Sequence, residues 1–574
     1  MLFTCRRFSL MLEILLIWIL FGLVSTFWGE KIARIISKKW IPEFEENIWI
    51  HFWFGLSFLS ILLDFISFLS PFSPGLKLGV WLVLLVPVIA SFSWLKKIFN
   101  QWLQGIKRMG IPGIILAILG FSIALLKSSG LPEIFDEGAY HLPLIRMWEQ
   151  QGLVPGMANL NGHYGLNSSW HILTAFSNFD FFPGWKLAIG LNGLLAFVLS
   201  LYAAFSLAKI LSNKSLVSDW IILFLPFFVF RNLLSSPSTD IPAIVCTWFI
   251  FTLWYKNIEG QESPWKIWPV LGVLPFWVVM IKASSAALLL VPLGLMALAW
   301  KEKLPARLKL VFAFGLVLLL PWILQNWLLT GYGVFPIRST ALGNPEWQVP
   351  LESIDKKFYL AQFGAFAPPE HFTWKWFLFW IRAHNKDTQV ILLLVLSALV
   401  SVSLVLIRRN EERIWTKVYL FGTILACLIT WFITITEPRY GFGALVFSAL
   451  FPIGMVLNGI SKRFQWFRFF SLVILMLQFL NLYKTWKETD WSSSQIFLPL
   501  GRPEVKFRDI KCGNFTGISP VRYSSKVPDG KPVFCWDCPF PCIPKEGITD
   551  SASIFRIKVF GRNSFSFKKS ERLP

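Results

Sequence analysis

Apolar runs of about 20 residues, the length needed to cross a bilayer's hydrocarbon core, recur along most of the chain between short clusters of Lys, Arg, Gly and Pro. They lie near 9–27, 50–70, 77–95, 111–127, 185–208, 216–232 and 240–256. A second series lies near 267–282, 284–300, 308–328, 388–407, 415–436, 441–459 and 466–484. The pattern predicts an all-α polytopic membrane protein of about 14 (12–14) transmembrane helices. Composition leads to the same class: 55% of residues are hydrophobic, 17% aromatic and only 15% charged, with a mean hydropathy of +0.58, too few charges to solvate a soluble surface. The first run ends in TFWGEK rather than at a small-residue cleavage site, so it is expected to stay as an anchor.

Short cytoplasmic loops retain Lys and Arg. Lys96, Lys97, Lys107 and Arg108, then Lys301, Lys303, Arg307 and Lys309, then Arg408, Arg409, Arg413 and Lys417 mark three such loops. Alternation then places loop 128–184, loop 231–240, loop 329–387 and the tail after 485 on the non-cytoplasmic side. Lys31, Arg34, Lys38 and Lys39 outweigh Arg6 and Arg7 in orienting the first span. Positive-inside topology accounts for most of the net charge of +21, so no nucleic-acid partner is expected.

The chain divides into N-terminal extra helices (1–109), a membrane core (110–484) with its large exported loop 128–184, and an exported C-terminal domain (485–574). Hydrophobic periodicity stops after Lys487, where short strands and turns are predicted. Four of the seven cysteines, Cys512, Cys535, Cys538 and Cys542, fall in this tail. In an exported domain they are expected to form two disulfides of open connectivity. Zinc or a redox pair is the alternative for the CxxC spacing, but zinc needs a second well-spaced pair and redox chemistry a thioredoxin-like fold.

Candidate chemistry concentrates in FDEGAYHLPLIRMWEQQGLVPGMANLNGHYGLNSSW, residues 135–170, a polar island between apolar runs. Asp136 and Glu137 suit a general base and a second carboxylate for a donor or a divalent cation; the alternative is an acidic start to a helix near Ala139. Helical spacing from Tyr140 to Trp148 predicts a segment lying along the membrane interface. His141 and His163 are candidate substrate contacts or neutral hydrogen-bonding groups. Further ionisable residues fall at span ends on the same side: Asp240, Lys282, Arg338, Glu437 and Arg439. Charge at a bilayer boundary is costly, so its convergence suggests one cavity. The alternatives are a cap for Asp240, snorkelling for Lys282, chain reversal around Arg338, and a loop-holding ion pair for Glu437 and Arg439.

The acidic pair in the large exported loop, Asp240 at a later exported span start, PWILQNWLLTGYGVFP, and Glu437-Pro-Arg439-Tyr440 together resemble the GT-C superfamily of polyprenyl-phosphate-sugar-dependent glycosyltransferases, over residues 110–460. The chain also resembles a family of bacterial polytopic membrane proteins sharing the VPGMANLNGHYGLNSSW loop and the CWDCPFPC tail. Three extra spans precede the usual GT-C core. The resemblance implies transfer of a sugar from a polyprenyl-phosphate carrier to a glycan or lipid acceptor at the periplasmic or extracellular face of the bacterial inner membrane. Asp136 is then the base, Glu137 positions the donor through a divalent cation (Mg or Mn), and His141, His163, Asp240, Lys282, Arg338, Glu437 and Arg439 bind substrate. Two other classes fit the composition: a transporter or flippase of a lipid-linked saccharide, and a non-catalytic envelope assembly protein.

Overall fold

A computed structural model describes residues 9–130, 136–181, 190–231, 234–351, 414–434 and 437–488, with the backbone of four strands in the tail. Eleven helices among the described residues are long and apolar enough to cross a membrane, which makes this a multi-pass all-α membrane protein. The predicted span at 388–407 lies outside the described residues.

The chain begins with α1 (Ser9–Trp40), α2 (Ile48–Ser67), α3 (Pro74–Ala90) and α4 (Phe92–Ser128). The starts of α2 and α3 follow local chemistry: the Asn47 side chain accepts from Trp49 N–H, and the Ser73 side chain from Leu76 N–H with Pro74 at the first helical position. α1 and α2 approach so closely that a Cβ added at Gly29 falls 1.9 Å from the His51 carbonyl oxygen, and one at Gly55 falls 1.8 Å from that of Ser25. Small residues at a membrane helix contact allow this backbone approach.

α4 departs from the predicted pattern. Its 37 residues amount to roughly 55 Å of helix, well beyond the ~30 Å hydrocarbon core. It is kinked at Gly110, whose φ of 64° is left-handed. The stretch read as a basic loop around Lys96–Arg108 is therefore a helix, and the span proper follows the kink.

The large loop is folded inside the bundle. A π-turn at Glu137–His141 leads into α5 (Leu142–Gln150), and two short 3-10 turns precede α6 (Ser169–Ser177). Leu142, Leu144, Ile145, Met147 and Trp148 are buried, which corrects the expectation that this segment lies along the lipid interface. Its apolar face packs on protein, and the loop's polar groups are held by buried hydrogen bonds. Ser169 Oγ donates to Asp64 Oδ2 of α2 (2.8 Å), and Lys77 of α3 reaches Glu149 Oε1 (2.9 Å) and Asp180 Oδ2 (3.1 Å).

The second half of the membrane region comprises α7 (Leu191–Leu211), α8 (Val217–Val229), α9 (Asp240–Glu259), α10 (Trp268–Gly272), α11 (Leu274–Ile281), α12 (Leu290–Lys301), α13 (Pro305–Thr330), α14 (Ile414–Thr434), α15 (Pro438–Arg463) and α16 (Leu472–Glu488). Following the chain, Asp136 and the ends of α9, α11 and α15 that carry Asp240, Lys282 and Arg439 come to one face. In the tail, β1 (Val505–Cys512) pairs antiparallel with β2 (Phe515–Tyr523), and β3 (Ala552–Val559) with β4 (Arg562–Lys569). Cys535, Cys538 and Cys542 and the side chain of Cys512 lie outside the described residues, as does any pairing among them.

The α1–α2 contact leads to a stability test. Gly55→Leu is expected to destabilise the purified protein by more than about 3 kcal/mol through overpacking. Gly22→Ala, where nothing lies within 4 Å of the added Cβ, is expected to be nearly neutral. Thermal unfolding followed by size-exclusion fluorescence compares the two.

Candidate active site

Four segments meet at this face. Asp136 stands at the start of the π-turn, Asp240 is the first residue of α9, Lys282 follows α11, and Arg439 and Tyr440 lie in the first turn of α15. Each is held by its surroundings. Asn192 Nδ2 of α7 donates to the Ser236 and Ser238 carbonyls (2.6 and 3.0 Å), while Ser238 Oγ accepts from Asp240 N–H (3.2 Å). Ser168 Oγ donates to the Ile281 carbonyl (2.7 Å), tying the large loop to the residue before Lys282. Trp431 Nε1 of α14 donates to the Glu437 carbonyl (2.8 Å) at the entry to α15.

The charged groups form an alternating chain. Lys282 Nζ is hydrogen-bonded to Asp240 Oδ1. Arg439 Nη2 donates to Asp136 Oδ2 (2.9 Å) and to the Tyr440 hydroxyl (3.1 Å), and Arg439 Nε faces Asp240 Oδ2 at 3.8 Å. That Nε is buried without a hydrogen-bond partner. Lys282 Nζ also sits 3.4 Å from the centre of the Tyr440 ring, whose π face stabilises the ammonium. Desolvation penalises each charge, so opposite charges in alternation are what make the cluster tolerable.

A histidine layer lies beside it. Tyr140 stacks on His163 with ring centroids 5.0 Å apart, and His141 Nδ1 lies 2.7 Å from His171 Nε2. Burial pulls His141 down to about 3, against the opposing pull of Asp240, and holds His171 well below the ordinary histidine range. Both rings are therefore neutral at pH 7, with one proton on the contact between them. His171 Nδ1 is buried without a hydrogen-bond partner. Placing the contact proton on His171 Nε2 leaves no N–H stranded there, and the remaining proton of His141 is then on Nε2.

The structure thus brings Asp136, Asp240, Lys282 and Arg439 within ion-pair distance, and places His141 and His163 beside them. Lys282 does not snorkel, because its side chain is only 12% exposed. Asp136 and Asp240 make no side-chain cap. Glu437 is exposed ahead of α15, and Arg338 is exposed on a 3-10 turn at Arg338–Thr340. Glu137 is fully buried next to Asp136. Among the described residues no group of three or more His, Cys, Asp or Glu is arranged to hold a metal. The carboxylates of Asp136 and Asp240 face Arg439 and Lys282 as ion pairs. Sequence reasoning missed His171, Tyr140 and the role of the Tyr440 ring. Tyr440 stands beside Arg439, but nothing in sequence spacing joins His171 to His141 across 30 residues.

Lys282→Met strands a largely buried Asp240 and is expected to lower stability by roughly 3 kcal/mol. Adding Asp240→Asn in the same chain is expected to recover most of it; thermal unfolding of the single and double variants measures this. The histidine pair has a defined sign. Its folded-state pKa values lie below the unfolded value, so unfolded chains bind more protons below pH 6.5. Stability is therefore lost as pH falls from about 6.5 towards the folded value of about 3 for His141, by roughly 2 kcal/mol at pH 5 for that ring. Replacing both rings, as His141→Gln with His171→Gln, is expected to flatten the unfolding midpoint between pH 7 and pH 5 relative to wild type.

No curated protein and no solved structure matches the chain. Residues 11–447 match the family described as Domain of unknown function (DUF8201). The matched region takes in every member of the cluster from Asp136 to Tyr440 and more than half of the chain, and the protein belongs to that family.

Proposed function

We propose that this protein is a membrane glycosyltransferase that moves a sugar from a polyprenyl-phosphate carrier to an acceptor hydroxyl at the non-cytoplasmic face of the bacterial inner membrane, on a GT-C-like core. The observation that carries the reading is Arg439 Nε, buried and without a hydrogen bond, beside Lys282 at the ends of the spans, with a carboxylate facing each cation. A guanidinium and an ammonium with a spare donor suit a phosphodiester oxygen. A lipid-linked phosphate reaches such a boundary from the side, along the membrane.

In this reading the donor phosphate draws Arg439 away from Asp136. The released carboxylate takes the proton of the acceptor hydroxyl as its oxygen attacks the anomeric carbon. The bond from that carbon to the phosphate oxygen breaks, the electron pair leaves on the carrier phosphate, and Lys282 and Arg439 stabilise it. Configuration inverts at carbon. His141 and the Tyr140–His163 stack supply hydrogen bonding and an aromatic surface beside the sugar.

A transport pathway needs ionisable groups through the depth of the bilayer. Among the described residues, Glu13 in α1, Asp64 in α2 and Lys77 in α3 lie near the same ends of their helices as the site, Glu30 in α1 and Asp219 in α8 lie towards the opposite ends, and Asp64, Lys77, Glu30 and Asp219 are each engaged by a partner. That distribution favours surface chemistry over passage.

Asp136→Asn is expected to reduce sugar transfer from polyprenyl-phosphate donors in proteoliposomes by about 100-fold or more, the usual contribution of a general base, while donor binding persists. Full turnover by this variant would overturn the assignment of the base.

A further inference from the structure

On the opposite face, the first half of α4, Phe92–Met109, turns three distinct sides to three environments. Trp94 and Ile98 are buried against the bundle, where Trp94 Nε1 donates to Glu30 Oε2 (3.1 Å) and Lys97 reaches Glu30 Oε1 (2.9 Å). Phe92, Phe99, Trp102, Leu103 and Ile106 form a separate apolar stripe at helical spacing, and all five are exposed, Phe92 at 75% and Phe99 at 63%. Lys96, Lys107 and Arg108 are exposed, and at about 100° per residue Lys96 and Lys107 fall along one edge of that stripe. The segment contains no Asp or Glu. Gly110 then breaks the helix, and the apolar span follows directly.

We propose that Phe92–Met109 is an interfacial helix that binds anionic phospholipid of the leaflet opposite the candidate active site, its apolar stripe set among acyl chains and Lys96, Lys107 and Arg108 on the headgroup phosphates. The occupant follows from charge and position. The stripe leads directly into a membrane span, so it meets the hydrocarbon boundary, and Lys96 and Lys107 along its edge, on a segment with no Asp or Glu of its own, complement an anionic headgroup. A soluble acidic protein would meet the cations but would leave the stripe beside them in water or lipid.

The test uses the purified full chain in detergent, with phosphatidylglycerol and phosphatidylcholine titrated separately and bound lipid counted by native mass spectrometry. Wild type is expected to prefer phosphatidylglycerol, and Lys96→Gln, Lys107→Gln and Arg108→Gln together are expected to cut that preference at least tenfold, given about fivefold per cation near a lipid surface. The control Lys301→Gln with Lys303→Gln, at another basic turn, is expected to keep it. Monodispersity of each variant on size exclusion establishes folding. An unchanged preference in the triple variant, an equal loss in the control, or displacement of the lipid by millimolar inorganic phosphate would overturn the proposal. The last result would assign the cations to free phosphate.

Discussion

The alternating row Lys282, Asp240, Arg439 and Asp136 is the constraint on which the rest of this face depends. Four charges at the ends of the spans each carry a desolvation cost, and removal of any one leaves its neighbour with less compensation. The four come from positions separated by as many as 303 residues. They neutralise one another only if the large loop and the ends of α9, α11 and α15 arrive at the same depth.

That depth is set by packing away from the charges. Gly29 and Gly55 let α1 and α2 touch backbone to backbone, and α2 carries Asp64, which receives Ser169 of the large loop. On the adjoining side, Asn167 Nδ2 donates to Gln325 Oε1 of α13, and Gln325 Nε2 donates to Ser67 Oγ of α2. Hydrogen bonds between buried polar groups in a membrane bundle have little water to compete with them, so the loop behaves as part of the helical core. Asp136 and His141 are thereby presented by a rigid segment.

Much of this was legible in the chain and some was not, for identifiable reasons. Span positions follow from apolar run length, because the bilayer sets the length directly. The gathering of Asp136, Asp240, Lys282 and Arg439 follows from alternation, which puts odd and even span ends on opposite sides. The burial of α5 did not follow, because an amphipathic segment has the same pattern whether its apolar face meets lipid or protein. The helix at Phe92–Met109 was masked by its lysines, which read as a loop until the exposed stripe between them was seen. His171 was invisible because a contact between rings 30 residues apart is set by tertiary packing alone. The π-turn after Asp136, in which Leu142 N–H bonds to the Glu137 carbonyl five residues back, is likewise not readable from residue spacing.

In the proposed function, the arrangement that makes the cluster tolerable also suits it to an anion. Arg439 donates to Asp136, and its buried Nε faces Asp240 without a hydrogen bond, so in the proposed reading an incoming phosphate oxygen meets a donor that is not already hydrogen-bonded. The most direct measurement of that claim is the affinity of purified protein for a polyprenyl phosphate, compared between wild type and Arg439→Gln in nanodiscs of neutral lipid. The account predicts binding by wild type and a loss of about tenfold or more in the variant, the scale of one charge-assisted hydrogen bond. Equal affinity in the two proteins would contradict it.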